Sequence, residues 1–541
     1  MRFSSALLLV FALHLLVFAQ ADTSRPNPVI LLPALGNHHH PIATKMPEAQ
    51  QFFDQGLILV FGFNREEALR SFRRASELDP TSPMPHWGMA LAYGLHLNMS
   101  IDMDVAHREA YAAIQKALAL SKNASPYERA YVEALARRCS NDPKPDVAKL
   151  DSDYADAMSA LVRNYPDDLD AAAFYAESLM DLHRYDWFDG AGNPTHATTQ
   201  ILNLLESILV RNPSHSLANH LYVHVLDTSP FPQRALNAAA HLEHDVTGAG
   251  HLPHMGGHIY ASVGDFESAA HVNELAAEMD RNYMSATNIT HSAYAVSYYP
   301  HNVHFIVYSR AEQGLAVQAM KAAETLRSFS EPRLSDMPEM TDYYLRVPFL
   351  TLLRLQRWDD VIAYPPPPSH AIMSGALWHF ARGVALSAKK DNAQAAEEER
   401  LFEVARKEIP AGTMFLFNPA EKIMELASTV LGARLAQGEE SISLWRQAVA
   451  QQDALLYDDP PAWYYPVRES LGAALLRLKH TQEAEQVFRE SLRRNPRNPR
   501  GLFCLWRAVL AQGQAENADW LHQQFAEVWK GSALDPTLEN F

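Results

Sequence analysis

The feature that most restricts the fold of this chain is a spacing that occurs twice, 416 residues apart. In "FFDQGLILVFGFNREEALRSFRRASELDP", Gly56, Ala68, Phe72, Ala75 and Pro80 stand at offsets of 0, 12, 16, 19 and 24. In "LGAALLRLKHTQEAEQVFRESLRRNP" the same offsets hold Gly472, Ala484, Phe488, Ser491 and Pro496. A glycine lets two helices approach closely, small residues fill the crossing, and a proline ends the second helix. Weaker copies lie between. Gly257 with Ala269 and Gly383 with Ala395 keep the offset of 12, while Val223 with Ala235 and Val307 with Ala319 keep it without the glycine.

These are the spacings of the tetratricopeptide repeat (TPR), and no stretch reads as alternating strands. The expected fold is all-α: a TPR helical solenoid of stacked antiparallel helix pairs. The run "YPPPPSH" interrupts the pattern once. The expected organisation is therefore an extended N-terminal segment (22–46), a solenoid with a histidine-rich groove (47–363), a proline-rich linker (364–371) and a second solenoid (372–541).

The opening "MRFSSALLLVFALHLLVFAQAD" sets one basic residue before an apolar run and then Ala19-Gln20-Ala21. That order reads as a signal peptide over 1–21, and it implies a protein secreted or held in a secretory lumen, or in a periplasm if bacterial. No other stretch is fit to span a membrane. A net charge of −17 argues against a nucleic-acid partner. Two cysteines, Cys139 and Cys504, permit at most one long-range disulfide and no thiolate metal site. Asn98, Asn123 and Asn288 begin glycosylation sequons, consistent with a eukaryotic secretory route.

The repeat supplies a coordinate system for the histidines. With the glycine slot at zero, His220 and His224 occupy −3 and +1 around Val223, and His254 and His258 do so around Gly257, with His251 at −6. Around Val307, His304 is at −3 and His301 at −6. One repeat upstream, allowing an insertion around "WFDGAGNPT", Glu177 and Asp181 hold −3 and +1. Residues three or four apart share a helical face, so each set points one way. These nine residues are the candidate metal ligands. Nitrogen and carboxylate donors without thiolate suit Zn, Cu(II), Fe(II) or Mn(II). Seven histidines exceed one tetrahedral site, so either two ions are held or some imidazoles act as outer partners or acid–base groups.

Other segments are read more plainly. "NHHHP" (37–41) is read as part of a flexible N-terminal segment in preference to a nonspecific metal-binding tract. The tyrosine-rich 281–300 is either a lid near the groove or a surface excursion, and Trp463, Tyr464, Tyr465 and Arg468 read as packing between helices.

The phrases "YPDDLDAAAFYAESLMDL", "NHLYVHVLDTSPFPQRAL", "GAGHLPHMGGHIYASVGDF", "YYPHNVHF", "LWHFARGVAL" and "DPPAWYYPVRESLGAALL" resemble a family of exported TPR proteins, widespread in bacteria and present in some eukaryotes. The resemblance marks the same seven histidines as motif residues and implies export and the TPR fold, but no particular reaction. Relatives often carry paired cysteines before the Trp-Gly of the first repeat, where this chain reads "SPMPHWG".

Two functions follow as expectations. In one, the solenoid binds a transition metal through its histidines and carboxylates, and if it is an enzyme it is a metal-dependent oxidoreductase or hydrolase acting on a small molecule or peptide. In the alternative, it is a metal-free scaffold whose groove holds a peptide, a protein or another ligand.

Overall fold

The chain folds almost entirely as α-helix, in a computed structural model that describes residues 26–541 apart from 95–96, 99–102, 190–191, 247, 532–535 and 539–540. The expected signal peptide lies outside these residues. Among them the strands amount to one two-residue antiparallel hairpin, Met414–Phe415 with Asn418–Pro419. No described helix is long and apolar enough to cross a membrane.

Two compact units divide the chain. The first runs through Ile259 and includes Leu275–Tyr299; the second comprises Tyr260–Glu274 and Pro300–Phe541. In the first, Pro47–Phe61 packs on Arg65–Leu78, Met84–Tyr93 on Met103–Ser121, and Ser216–Asp227 on Leu236–Asp245. In the second, Ile372–Ala388 packs on Asn392–Ala405, Ala420–Leu435 on Gly438–Asp453, and Arg468–Arg477 on Thr481–Arg494. These are TPR-type helix pairs, in agreement with the sequence reading.

The slots of the repeat behave as their residue types require. Ala68, Ala235, Ala269, Ala319, Ala395 and Ala484, the six alanines at offset 12, are all 0% exposed. A Cβ on Gly56 would lie 2.4 Å from the Phe72 ring, and one on Gly472 would lie 2.3 Å from Phe488. The glycine is there because the phenylalanine of the second helix fills its space.

The turn inside each pair repeats as well. Two residues beyond the first helix, the backbone is left-handed at Phe63 (φ 57°), Gly264 (77°), Gln356 (57°), Lys390 (64°) and Lys479 (66°). The next residue caps the second helix; Asn64, for example, accepts the amide of Glu67. Glycine or a flexible polar residue suits that backbone, and a phenylalanine is out of place there on local grounds.

The proline-rich run 364–371 lies inside the second unit, between Trp358–Ala363 and Ile372–Ala388. The Trp378 indole donates to the Tyr364 carbonyl at 3.0 Å, so the run is fastened to the helix that follows it. The chain passes between the two units at Ile259–Tyr260, Glu274–Leu275 and Tyr299–Pro300. Cys139 and Cys504 are both free thiols.

Candidate metal centre

The helix Ser216–Asp227 starts at a histidine cap: Nδ1 of His215 accepts the amide of Ala218. Leu217, Leu221 and Val225 fix one face in the core of the first unit. One turn apart, His220 and His224 are then held inward, 0% and 5% exposed. His251 opens the helix His251–Ser262 and is equally buried. The ligand atoms of His220, His224 and His251 all lie within 4.8 Å of one another.

The first of these imidazoles has a fixed tautomer. Nδ1 of His220 lies 2.6 Å from the Phe61 carbonyl oxygen, which can only accept. Nδ1 therefore carries the proton, and Nε2 presents a lone pair with no hydrogen-bond partner among the described residues. Neither ring nitrogen of His251 has a hydrogen-bond partner among the described residues. Burial pushes His220 down to about 3 against the pull of the Phe61 carbonyl. Burial, and then the neighbouring imidazoles, hold His251 well below the ordinary range. Both are neutral, which is the ligating form.

Phe63 closes over this group. Its ring centroid is 4.6 Å from that of His220, 5.1 Å from His251 and 5.9 Å from His224. The backbone conformation that is unfavourable for a bulky residue is the one that turns this ring onto three histidines.

A second pair continues along the same helix. His258 Nδ1 meets Asp227 at 3.0 Å, and its Nε2 lies 3.0 Å from Nε2 of His254. A carboxylate behind an imidazole orients the ring and raises its basicity as a ligand. Sequence reading missed Asp227, although its place three residues after His224 on the same helix was a usable signal.

The other expected ligands have different surroundings. Asp181 pairs with Arg138 at 2.7 Å and Arg184 at 3.4 Å, and Glu177 lies 3.9 Å from Arg65. Burial, together with the Asp181 charge, raises Glu177 to about 7 against these arginines. Neither carboxylate joins the group of His220, His224 and His251. His301 and His304 belong to the second unit, where His301 packs edge-on against Phe305 and His304 lies against Tyr343 and Tyr344.

The segment 37–41 departs from expectation. His40 is 2% exposed and bonds Asp170 at 2.6 Å, with His38 at 3.4 Å and His215 at 3.1 Å from the same carboxyl group. Burial opposes ionisation of Asp170, but the three imidazoles hold it well below the usual carboxylate range. The run is a pinned strap, because a buried carboxylate needs several donors and these histidines supply them. Residues 281–300 mostly extend helices, and Tyr298 brings its ring 4.8 Å from His251. Of the sequon asparagines, Asn123 and Asn288 are exposed and Asn98 is half-buried.

Comparison with known proteins gives no family model and no curated protein that matches the chain. Solved structures with similar helical architecture include a human IFIT1 dimer with m7Gppp-AAAA, 13% identical at a TM-score of 0.34, covering 90% of this chain and 91% of that one. Yeast Tom70 is 12% identical at a TM-score of 0.31, covering 90% and 100%. Ypp1 is 9% identical at a TM-score of 0.45, covering 91% and 89%. The fold assignment rests on the helix pairs described above.

Proposed function

We propose that this protein is a helical-repeat scaffold that binds a divalent transition metal (Zn, Cu, Fe or Mn) through His220, His224 and His251. The observation that carries the reading is the convergence of three buried imidazole donors within 4.8 Å, one with its proton fixed on the far nitrogen by a carbonyl. Tetrahedral coordination at the usual Zn–N length sets ligand nitrogens about 3.3 Å apart, which small side-chain rotations reach from here. Three protein ligands leave a coordination position for a ligand, so hydrolytic or oxidative chemistry is compatible with the site. His254, His258 and Asp227 would serve as a second donor set or as outer partners. The N-terminal apolar run with Ala19-Gln20-Ala21 supports an exported protein.

A second reading is a metal-free interaction scaffold holding a peptide, protein or small molecule. It is favoured by Glu177 and Asp181, the expected carboxylate ligands, which pair with arginines instead.

The deciding experiment is elemental analysis of the untagged protein and of a folded His220→Ala/His251→Ala variant, both also carrying His39→Ala to remove an exposed imidazole. We expect near-stoichiometric metal in the parent and loss of it in the variant. No metal in either, after reconstitution with Zn, Cu, Fe and Mn, overturns the metal reading; partner capture that survives a chelator would then support the scaffold.

A further inference from the structure

The second unit contains a cavity of about 290 Å³ lined by none of the residues of the proposed metal centre, although His304, an expected ligand, stands in its wall. Its apolar walls include Val307, Leu350, Pro461 and Trp463, with the ring of Tyr464 beside them. Most of its charged lining is already neutralised within the protein. Arg354 donates to Glu312 at 2.9 Å and to Glu469 at 2.6 Å, and Asn498 donates to Glu312 at 2.7 Å. Asp453 takes Arg468 at 2.6 Å and Arg494 at 3.4 Å.

Arg346 is the exception. It lines the cavity and is 2% exposed, yet no described carboxylate lies within 4.0 Å of it, and Asp458 acts on it only from farther away. Its guanidinium lies instead 3.9 Å from the Tyr343 ring centroid and 4.3 Å from that of Phe415. Among the described residues Nε and Nη2 have no hydrogen-bond partner of good geometry, and the Tyr343 hydroxyl is the nearby polar group that acts on the guanidinium. These two nitrogens form the side-on edge with which arginine grips a carboxylate in two parallel bonds. His304, 7% exposed, lines the same cavity, and its Nδ1 also lacks a hydrogen-bond partner among the described residues. A buried guanidinium edge with no carboxylate to answer it is costly, and a fold that keeps one beside a cavity has a use for an anionic acceptor from outside.

We propose that this cavity binds a carboxylate attached to an apolar or aromatic body, with Arg346 taking the carboxylate and His304 completing the polar end. The volume accommodates an aromatic ring with its acid group and leaves room for a larger body. The same chemistry is offered by a free small acid and by the C-terminal carboxylate of a peptide whose last side chain enters the cavity.

The test is ligand-observed NMR on the full chain in EDTA, so that no probe can bind through a metal. The probes are benzoate, benzamide, and N-acetyl-glycyl-phenylalanine with a free or an amidated C-terminus. We expect saturable benzoate binding, at least tenfold weaker binding of benzamide, and at least tenfold loss of benzoate affinity in Arg346→Gln. Stronger binding of the free-acid peptide than of benzoate assigns the site to C-terminal capture; benzoate alone assigns it to small acids. If Arg346→Gln does not fold, Leu455→Trp, a half-exposed lining position, should block benzoate while leaving the helical signal unchanged. Equal binding of benzoate and benzamide, undiminished benzoate binding in either folded variant, or no saturable binding by the wild type would overturn the proposal.

Discussion

Burial of His220 makes the first unit sensitive to acid in a calculable way. The folded protein keeps this imidazole neutral down to about pH 3, whereas the unfolded chain takes up a proton near the ordinary value of 6.5. Folding therefore expels a proton below pH 6.5, and stability present above that pH is lost as the pH falls toward the folded value. At pH 5 the unfolded state gains 1.5 pH units of protonation, about 2 kcal/mol at 1.36 kcal/mol per unit. That figure depends little on the folded value while it stays below about 4. His251, shifted the same way, acts in the same direction. The perturbation is His220→Asn, which removes the titration and keeps an N–H that can reach the Phe61 carbonyl. The assay is amide hydrogen exchange in peptides from the helix Ser216–Asp227, in EDTA, at pH 8 and pH 5. After correction for intrinsic rates, opening free energy in the wild type should fall by about 2 kcal/mol more than in the variant. Equal pH dependence in the two proteins would refute the account of a neutral, proton-excluding His220.

Three further outcomes are expected. Gly56→Ala should destabilise by about 1–3 kcal/mol because its Cβ meets Phe72, whereas Gly432→Ala, with only Leu444 at 4.0 Å, should gain up to about 1 kcal/mol; thermal unfolding of both reads the sign. Phe63→Gly and Phe63→Ala should both destabilise through loss of the ring, but the glycine variant should be more stable than the alanine variant by about 1 kcal/mol, because only alanine is strained at φ 57°; urea midpoints in the reverse order would contradict this. In a secretory host, glycans should occupy Asn123 and Asn288 ahead of Asn98, whose Oδ1 already accepts from the Tyr185 hydroxyl at 2.9 Å, and site-by-site mass spectrometry gives the order.

Much of the architecture could be read in the sequence because a repeat imposes the same local chemistry many times. Gly56 with Phe72, and the six buried alanines, carry their packing in their spacing. The histidine helices were legible for the same reason: positions three and four apart share a face. What escaped were contacts whose partners lie far away in the chain. Nothing near Glu177 or Asp181 announces Arg65 or Arg138, which answer their charges. The three consecutive histidines at 38–40 resemble a flexible tract until Asp170 is placed beside two of them. The Phe61 carbonyl could not have been found at all, since a backbone oxygen has no residue type to betray it.

That carbonyl ties the site to the order in which the chain folds. The bond from His220 spans 159 residues, and the helix Pro47–Phe61 packs directly on Ser216–Asp227. A repeat array usually assembles from contacts between neighbours, and any sufficiently long piece of it can stand alone. Here a fragment beginning after residue 61 would retain every histidine of the candidate centre and yet lack the group that sets the tautomer of His220. The tautomer of His220 is thus set only when the first helix of the unit closes onto one synthesised long afterward, which makes the finished site a sensitive reporter of whether the whole unit is intact.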